Sequence, residues 1–265
     1  MTSFRILASG LVSIFFAFSV SAHAQFDPVI VFGEDIDADS SFVPGGEAEQ
    51  ARQSFLAALQ GASTEDFEER SGSAPLTLVF EGTAGDITAE LSGNGDVRSS
   101  PGFGRFATSG SRYFNVSGDG FTIEFDTPVA AFGFYGTDIG DFEGQVTLEL
   151  TLESGETETL TVPNSTPSST GLTQQQLDGA LLFYGILSPD VSFTQVVFGN
   201  TAAGVDVFGF DDLTVGDVGQ IVGPPPTDPP PAEGAPLPVP SLNAWGIGLM
   251  MLLFLGLAIV RFRMI

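Results

Sequence analysis

Residues 145–152 read Gln145-Val146-Thr147-Leu148-Glu149-Leu150-Thr151-Leu152, with an apolar side chain at every second position and Thr147, Glu149 and Thr151 between them. A period of two places the four aliphatic groups on one face of an extended chain, as a half-buried antiparallel strand requires. Outward from this stretch, the alternation recurs in Phe121-x-Ile123-x-Phe125. Further strand-like runs lie at 76–81, 86–91, 129–135, 157–162, 180–187, 193–199 and 207–215, most of them separated by Gly, Asn, Asp or Pro. Together they predict an all-β body, a two-sheet β-sandwich or jelly roll of about eight to ten strands. One segment departs from the pattern. Residues 47–60 are helix-forming, carry acids in the first turn, and are followed by Gly61 as a C-terminal cap. The Phe55, Leu56 and Leu59 face of this short helix is expected to dock on the edge or end of the sandwich.

The composition excludes several functions. The chain has 265 residues, with 33 Asp+Glu against 8 Lys+Arg and no cysteine. All the basic residues are arginines, and five of them lie between Gln25 and Pro240 among all 33 acids. Such a body repels phosphate backbones, so no nucleic-acid partner is expected. The single histidine, His23, falls in the leader described below. Without Cys, Lys or a retained His, the body lacks the parts of Ser-His-Asp, Cys-His, Schiff-base and P-loop chemistry. Paired carboxylates remain, but no spacing singles out a pair, and the body reads as non-enzymatic.

The ends place the chain in a compartment. Arg5, an apolar run from Ile6 to Val20, and Ala22-His23-Ala24 form a secretory leader over 1–24, with cleavage expected after Ala24. Residues 220–239 are rich in proline, favour polyproline II, and form a stalk after a body spanning 25–219. Residues 244–260 are apolar or small throughout and are followed by Arg261-Phe262-Arg263. This is a short transmembrane helix with Trp245 at the interface and, by the positive-inside rule, the body outside.

The tail Pro240-Ser241-Leu242-Asn243-Ala244-Trp245-Gly246, its apolar helix, and Arg261 and Arg263 resemble the PEP-CTERM class of C-terminal sorting signals handled by exosortase-type transpeptidases. It is most similar to the subgroup with an Ile-Pro-Thr-Leu motif, with Val239 and Ser241 in place of Ile and Thr. The body resembles the exported β-rich domains that precede such tails through Phe55–Leu59, Asp66–Glu68, Gly104–Gly110, Pro128–Asp141 and Phe208–Val215. The resemblance implies a membrane-anchored, then surface or extracellular matrix protein, an exosortase-like partner and association with exopolysaccharide.

Within the body, Phe208-Gly209-Phe210-Asp211-Asp212-Leu213-Thr214-Val215 would, as a strictly alternating strand, turn one carboxylate toward the apolar side. Either a bulge turns both outward or a cation receives one. Final strands of this kind resemble those of β-sandwich carbohydrate-binding modules, in which last- and first-strand carboxylates hold a structural Ca2+. Glu68 is the first-strand candidate, and a solvated strand end with a hydrogen-bonded turn is the alternative. Asp138 and Asp141, in the loop Gly136-Thr137-Asp138-Ile139-Gly140-Asp141, are the second candidate for Ca2+ or for a plain turn. The run Asp35-Ile36-Asp37-Ala38-Asp39 begins like an EF-hand but has Ser40 and Gly46 at its sixth and twelfth places, and is rejected. With 25 Phe against three Tyr and one Trp, the Phe are expected in the core. Tyr113, Tyr135 and Tyr184 are then the body's candidates for a sugar-stacking surface in a lectin-like alternative.

Overall fold

The structure, a computed structural model, describes residues 25–36, 38, 40–202 and 206–224. The leader, the membrane helix and the sorting residues Pro240, Ser241, Leu242, Trp245, Arg261 and Arg263 lie outside them. No helix among the described residues is long and apolar enough to cross a membrane.

Twelve antiparallel strands form one curled sheet: β1 (Val29–Asp35), β2 (Ser63–Glu65), β3 (Gly72–Ser73), β4 (Leu76–Phe80), β5 (Ile87–Arg98), β6 (Tyr113–Val129), β7 (Ala131–Thr137), β8 (Val146–Leu152), β9 (Thr157–Thr161), β10 (Leu181–Leu187), β11 (Phe193–Asn200) and β12 (Val207–Gly216). The main order is β1-β10-β7-β12-β6-β11-β8-β9, with β5 on the other side of β6 and β4 beyond it. The sheet turns over on β6. Its first half pairs with β12 (Phe114 opposite Phe210) and its second half with β11 (Ile123 opposite Val196). A register shift between Gly93 and Gly95 of β5 accompanies the bend. Gly120 allows it on β6, since a Cβ there would stand 2.0 Å from the Phe198 carbonyl oxygen. The expected two layers are thus two halves of one sheet, sharing β5 and β6.

Between the halves, Phe114, Phe121, Phe132, Phe134, Phe198 and Phe210 pack as neighbouring rings, for example Phe134 with Phe198 at 5.2 Å and Phe198 with Phe210 at 5.1 Å. All three tyrosines are buried to 2% exposure and are not the stacking surface expected of them.

The helix α1 (Glu47–Ala57) is three residues shorter than expected. Ala58 and Leu59 donate to the i−3 carbonyls of Phe55 and Leu56, and Gln60 donates to Gln220, so the last turn leaves α-geometry before Gly61. Gly46 has no side chain with which to cap the first turn, and Asp35 of β1 does so instead, accepting from the Glu47 and Ala48 amides at 2.8 and 3.1 Å. That remote cap accounts for one acid of the rejected EF-hand-like run. The helix packs on the outer face at the β1 edge of the sheet, against β1 and β10 and reaching β7. Phe55 occupies the space left by Gly133 and Gly185, which face each other across β7 and β10. Every residue of β7 and of β10 is therefore buried, whereas β8, with no helix above it, alternates buried and open positions. Shorter helices α2 (Pro167–Thr170) and α3 (Gln174–Leu177) lead into β10. The fold continues past residue 219: Gln220 is buried, and the Val222 amide donates to the Ala58 carbonyl at 2.9 Å.

Candidate functional site

The candidate carboxylates separate into two groups. Asp211 and Asp212 sit mid-strand in β12, where the pairing with β7 shifts register between Asp211 and Thr214 and Asp212 takes φ 49. The bulge forms as one alternative required, but it does not turn the acids outward: Asp211 is 1% exposed and Asp212 is also buried. Polar donors meet them inside. Asp211 Oδ2 accepts from Thr108 N at 2.7 Å, Thr108 Oγ1 at 2.9 Å and Ser109 N at 3.2 Å, and Oδ1 accepts from Asp212 N at 2.9 Å. Asp212 accepts from Ser109 Oγ at 2.7 Å and pairs with Arg52 of α1 at 3.3 Å, whose guanidinium also lies over the Tyr135 ring. Burial, then the charge of Asp212, push the Asp211 carboxyl up to about 7 against the pull of these hydrogen bonds.

Glu68 does not join them as a ligand partner. Its oxygens accept from Ser111 N at 2.7 Å, Arg112 N at 2.6 Å and Ser111 Oγ at 3.1 Å. The Ser111 amide foremost holds its carboxyl below the usual range. Asp211, Asp212 and Glu68 thus tie down successive residues of one segment, 108–112. Among the described residues, no three Asp, Glu or His side chains are grouped to hold a metal ion.

Asp138 and Asp141 belong to a different place, the end of the sheet where β7 finishes, β10 begins and β12 begins. Asp138 follows β7 at φ 63, with its amide donating to the Ala180 carbonyl at 3.1 Å. Oδ1 of Asp138 and Oδ1 of Asp141 are buried without a hydrogen-bond donor. Two further acids, which the sequence did not single out, complete the group. The Asp178 carboxyl is hydrogen-bonded to that of Asp138, and the Asp206 carboxyl to that of Asp141. Burial first, then Asp141, Asp178 and Asp206, push the Asp138 carboxyl up to about 8. Burial and Asp206 push Asp141 up to about 7. The nearest cation is Arg105, 3.7 Å from Asp138 Oδ2 through an Nε that already donates to the Gly102 carbonyl at 2.8 Å.

Over this group stands a turn. Gly102 and Arg105 exchange backbone hydrogen bonds at 3.0 and 3.2 Å, and the two residues between them, Phe103 and Gly104, have φ 46 and 82. Positive φ at both central positions is the mark of a type I′ turn, which Gly enters freely and a bulky side chain does not. Phe103 is nonetheless at its tip, 89% exposed. The sequence holds a signal for it: an aromatic flanked by glycines, in Pro101-Gly102-Phe103-Gly104, belongs to a turn and not to a core strand. A groove of about 500 Å³ opens elsewhere beside β1 and is lined by Glu34, Asp35, Glu47 and Ser165. Two of its acids are engaged, Asp35 on α1 and Glu34 with Ser165 N and Oγ.

No family profile and no curated protein matches the chain. Among solved structures, the C-terminal family 22 carbohydrate-binding module of Clostridium thermocellum Xyn10B aligns at 16% identity and TM-score 0.34, covering 61% of this chain and 98% of that one. A xylan-binding domain from family 22 aligns at 15% identity and TM-score 0.33, covering 60% and 96%. The TmCBM61 module, solved with β-1,4-galactotriose, aligns at 16% identity and TM-score 0.26, covering 48% and 86%. At such scores the likeness identifies neither a family nor a ligand.

Proposed function

We propose that the chain is an exported, non-catalytic surface protein whose β body binds glycan at the end that carries Phe103. The observation behind this reading is Phe103 itself. An exposed Phe gains nothing from burial within its own domain, and holding a bulky residue at positive φ costs on the order of 1–3 kcal/mol. A ligand that stacks on the ring gives that conformation a use. The apolar face of a sugar ring fits such a platform, while Ser99, Ser100 and Asp178 nearby in sequence or space supply polar groups for hydroxyls. A saturable signal on a glycan array with the full chain, lost in Phe103→Ala at unchanged melting temperature, supports the reading. Equal binding by Phe103→Ala, or no binding at millimolar glycan, overturns it.

The route to the surface rests on the ends of the chain. The leader exports the body, the proline stalk spaces it from the bilayer by roughly 50 Å, and the Pro240-to-Arg263 tail holds it until an exosortase-like enzyme processes it. The test is the intact mass and cell fraction of a chain tagged near Thr227, in cells with and without that enzyme. Enzyme-dependent loss of the tail supports the route, and an intact membrane-held tail in both strains removes it.

A further inference from the structure

We propose that the carboxyl pairs Asp138–Asp178 and Asp141–Asp206 form a pH-sensitive latch beneath the Phe103 turn, each pair closed by one shared proton, so that acid holds the turn and alkali releases it.

The geometry calls for those protons. Oδ1 of Asp138 and Oδ1 of Asp141 are buried, and no amide or hydroxyl reaches either. What they meet is another carboxyl, Asp178 for the first and Asp206 for the second. Two ionised carboxylates in such contact repel each other, whereas one proton between them turns the contact into a short, charge-assisted hydrogen bond. Among the described residues, the one guanidinium ion-paired within the group is that of Arg105, 3.7 Å from Asp138 Oδ2. It is shared, since Nε donates to the Gly102 carbonyl at 2.8 Å and Nη1 to Asn115 Oδ1 at 3.2 Å. With both protons in place, the four acids set two negative charges against this guanidinium; without them they set four. The other titratable groups at this end do not restore the balance. Burial holds the Tyr113 hydroxyl of β6 above its ordinary value, so it stays neutral, and Glu34 of β1 is engaged by Ser165, whose carbonyl abuts Gly140.

The latch is tied to the turn through Gly104. A Cβ there would stand 2.1 Å from Asp138 Oδ1 and 2.3 Å from Asp178 Oδ1, so the backbone of the turn rests directly on the two oxygens of the pair. Asp138 is fixed: it is buried, and its amide donates to the Ala180 carbonyl at 3.1 Å. Asp178 is exposed and is the member free to leave. When both are ionised, repulsion moves Asp178 into solvent, and the turn loses half of its seat. Burial and the neighbouring acids push Asp138 up to about 8 and Asp141 to about 7, which sets the range. The closed latch is favoured most below about pH 4, where a free carboxyl is also protonated. It then weakens by about tenfold per pH unit for each proton, and the loss is complete above about pH 8. The consequence for glycan rests on the reading of Phe103 as its platform, whereas the latch itself does not.

The test is hydrogen exchange of the full chain, read by mass spectrometry on peptides covering 99–107 and corrected for the intrinsic pH dependence of exchange. The Gly102 and Arg105 amides, which bond to each other's carbonyls, report on the turn. Their protection is expected to fall by about tenfold or more between pH 5 and 8 and to level off above that. In Asp138→Asn the side-chain amide donates to Asp178 with no proton to lose, and the fall is expected to shrink; Asp178→Asn, at an exposed position where folding is not at risk, does the same. Protection that stays constant in the parent chain, or falls as steeply in both variants, overturns the latch. Glycan affinity is expected to drop in proportion to the fraction of turns open, and to stay level in Asp138→Asn. Constant affinity across a range where protection falls removes the coupling to Phe103 and leaves the latch in place. A fall in protection with no glycan signal at any pH removes the glycan reading instead, and again leaves the latch.

Discussion

The Asp211–Asp212 pair sits within β12 and the Asp138–Asp141 pair in the loop that leaves β7, and they end in opposite conditions. Asp211 is met by three backbone amides and a hydroxyl, and Asp212 by a hydroxyl and Arg52. Asp138 and Asp141 each keep an Oδ1 that no amide or hydroxyl reaches, and the groups they meet are further acids, Asp178 and Asp206, with Arg105 3.7 Å from Asp138 Oδ2. Burial alone does not decide how an acid is held. The identity of the opposing groups does: donors from 108–109 turn the first pair into a strap, and carboxylates from 178 and 206 leave the second group short of positive charge.

The largest effect is expected where the strap is cut. Asp211→Ala leaves the amides of Thr108, Ser109 and Asp212 without acceptors and lowers stability by about 3–4 kcal/mol, read from urea unfolding of the full chain. A loss below about 1 kcal/mol means that water replaces the carboxylate, and the contrast between the two groups collapses. Next comes Gly104→Ala, at φ 82 with acidic oxygens in the way. A cost of about 2–3 kcal/mol is expected in the same urea unfolding. A cost below about 1 kcal/mol would show that the Asp138 and Asp178 side chains move aside for a Cβ.

Acidity sharpens the contrast further. In cation-free protein, Asp138 at about 8 and Asp141 and Asp211 at about 7 keep protons that the unfolded chain has already released. Their stabilising contribution is full below about pH 4 and falls as pH rises through 7 to 8, so melting temperature in EDTA is expected to drop across that window. Asp138→Asn, which removes one charge from the group, flattens the upper part of the slope and raises stability at pH 8 by about 1 kcal/mol. It is the only substitution of this set expected to stabilise, and a destabilised Asp138→Asn at pH 8 would show that the carboxylate is satisfied after all. Glu68→Gln should change least, because Glu68 lies at the surface and the amide oxygen still accepts from Ser111 and Arg112. Thermal melting indistinguishable from the parent chain is the expected result.

How far these differences could be read from the residues follows the range of each interaction. Alternation in 145–152 and 121–125 placed β8 and the second half of β6, because a strand's facing is local. The unbroken apolar runs of β7 and β10 carried a second message, burial on both faces, and it became readable only once α1 was seen to cover them. The first half of β6 and the extension of β5 to Arg98 were hidden by Gly, Asn and Asp, residues that signal turns but here let the sheet bend. The conflict at Asp211–Asp212 was visible as a carboxylate on an apolar face. Its resolution by Thr108 and Ser109, a hundred residues earlier in the chain, was not. Asp138 and Asp141 could be found as an acidic loop, while Asp178 and Asp206 joined them only through the order β10-β7-β12.

That same strand order has a consequence in time. Val29 pairs with Leu187, and Ser63 with Val215, so the first strands to leave a ribosome or a translocation channel have no partners until more than half of the chain has followed. Contacts this distant in sequence make for slow, late folding and leave β1 with open backbone edges in the interval. The body of a chain arranged in this way closes only after its last strand, β12, is available to pair with β2, β6 and β7.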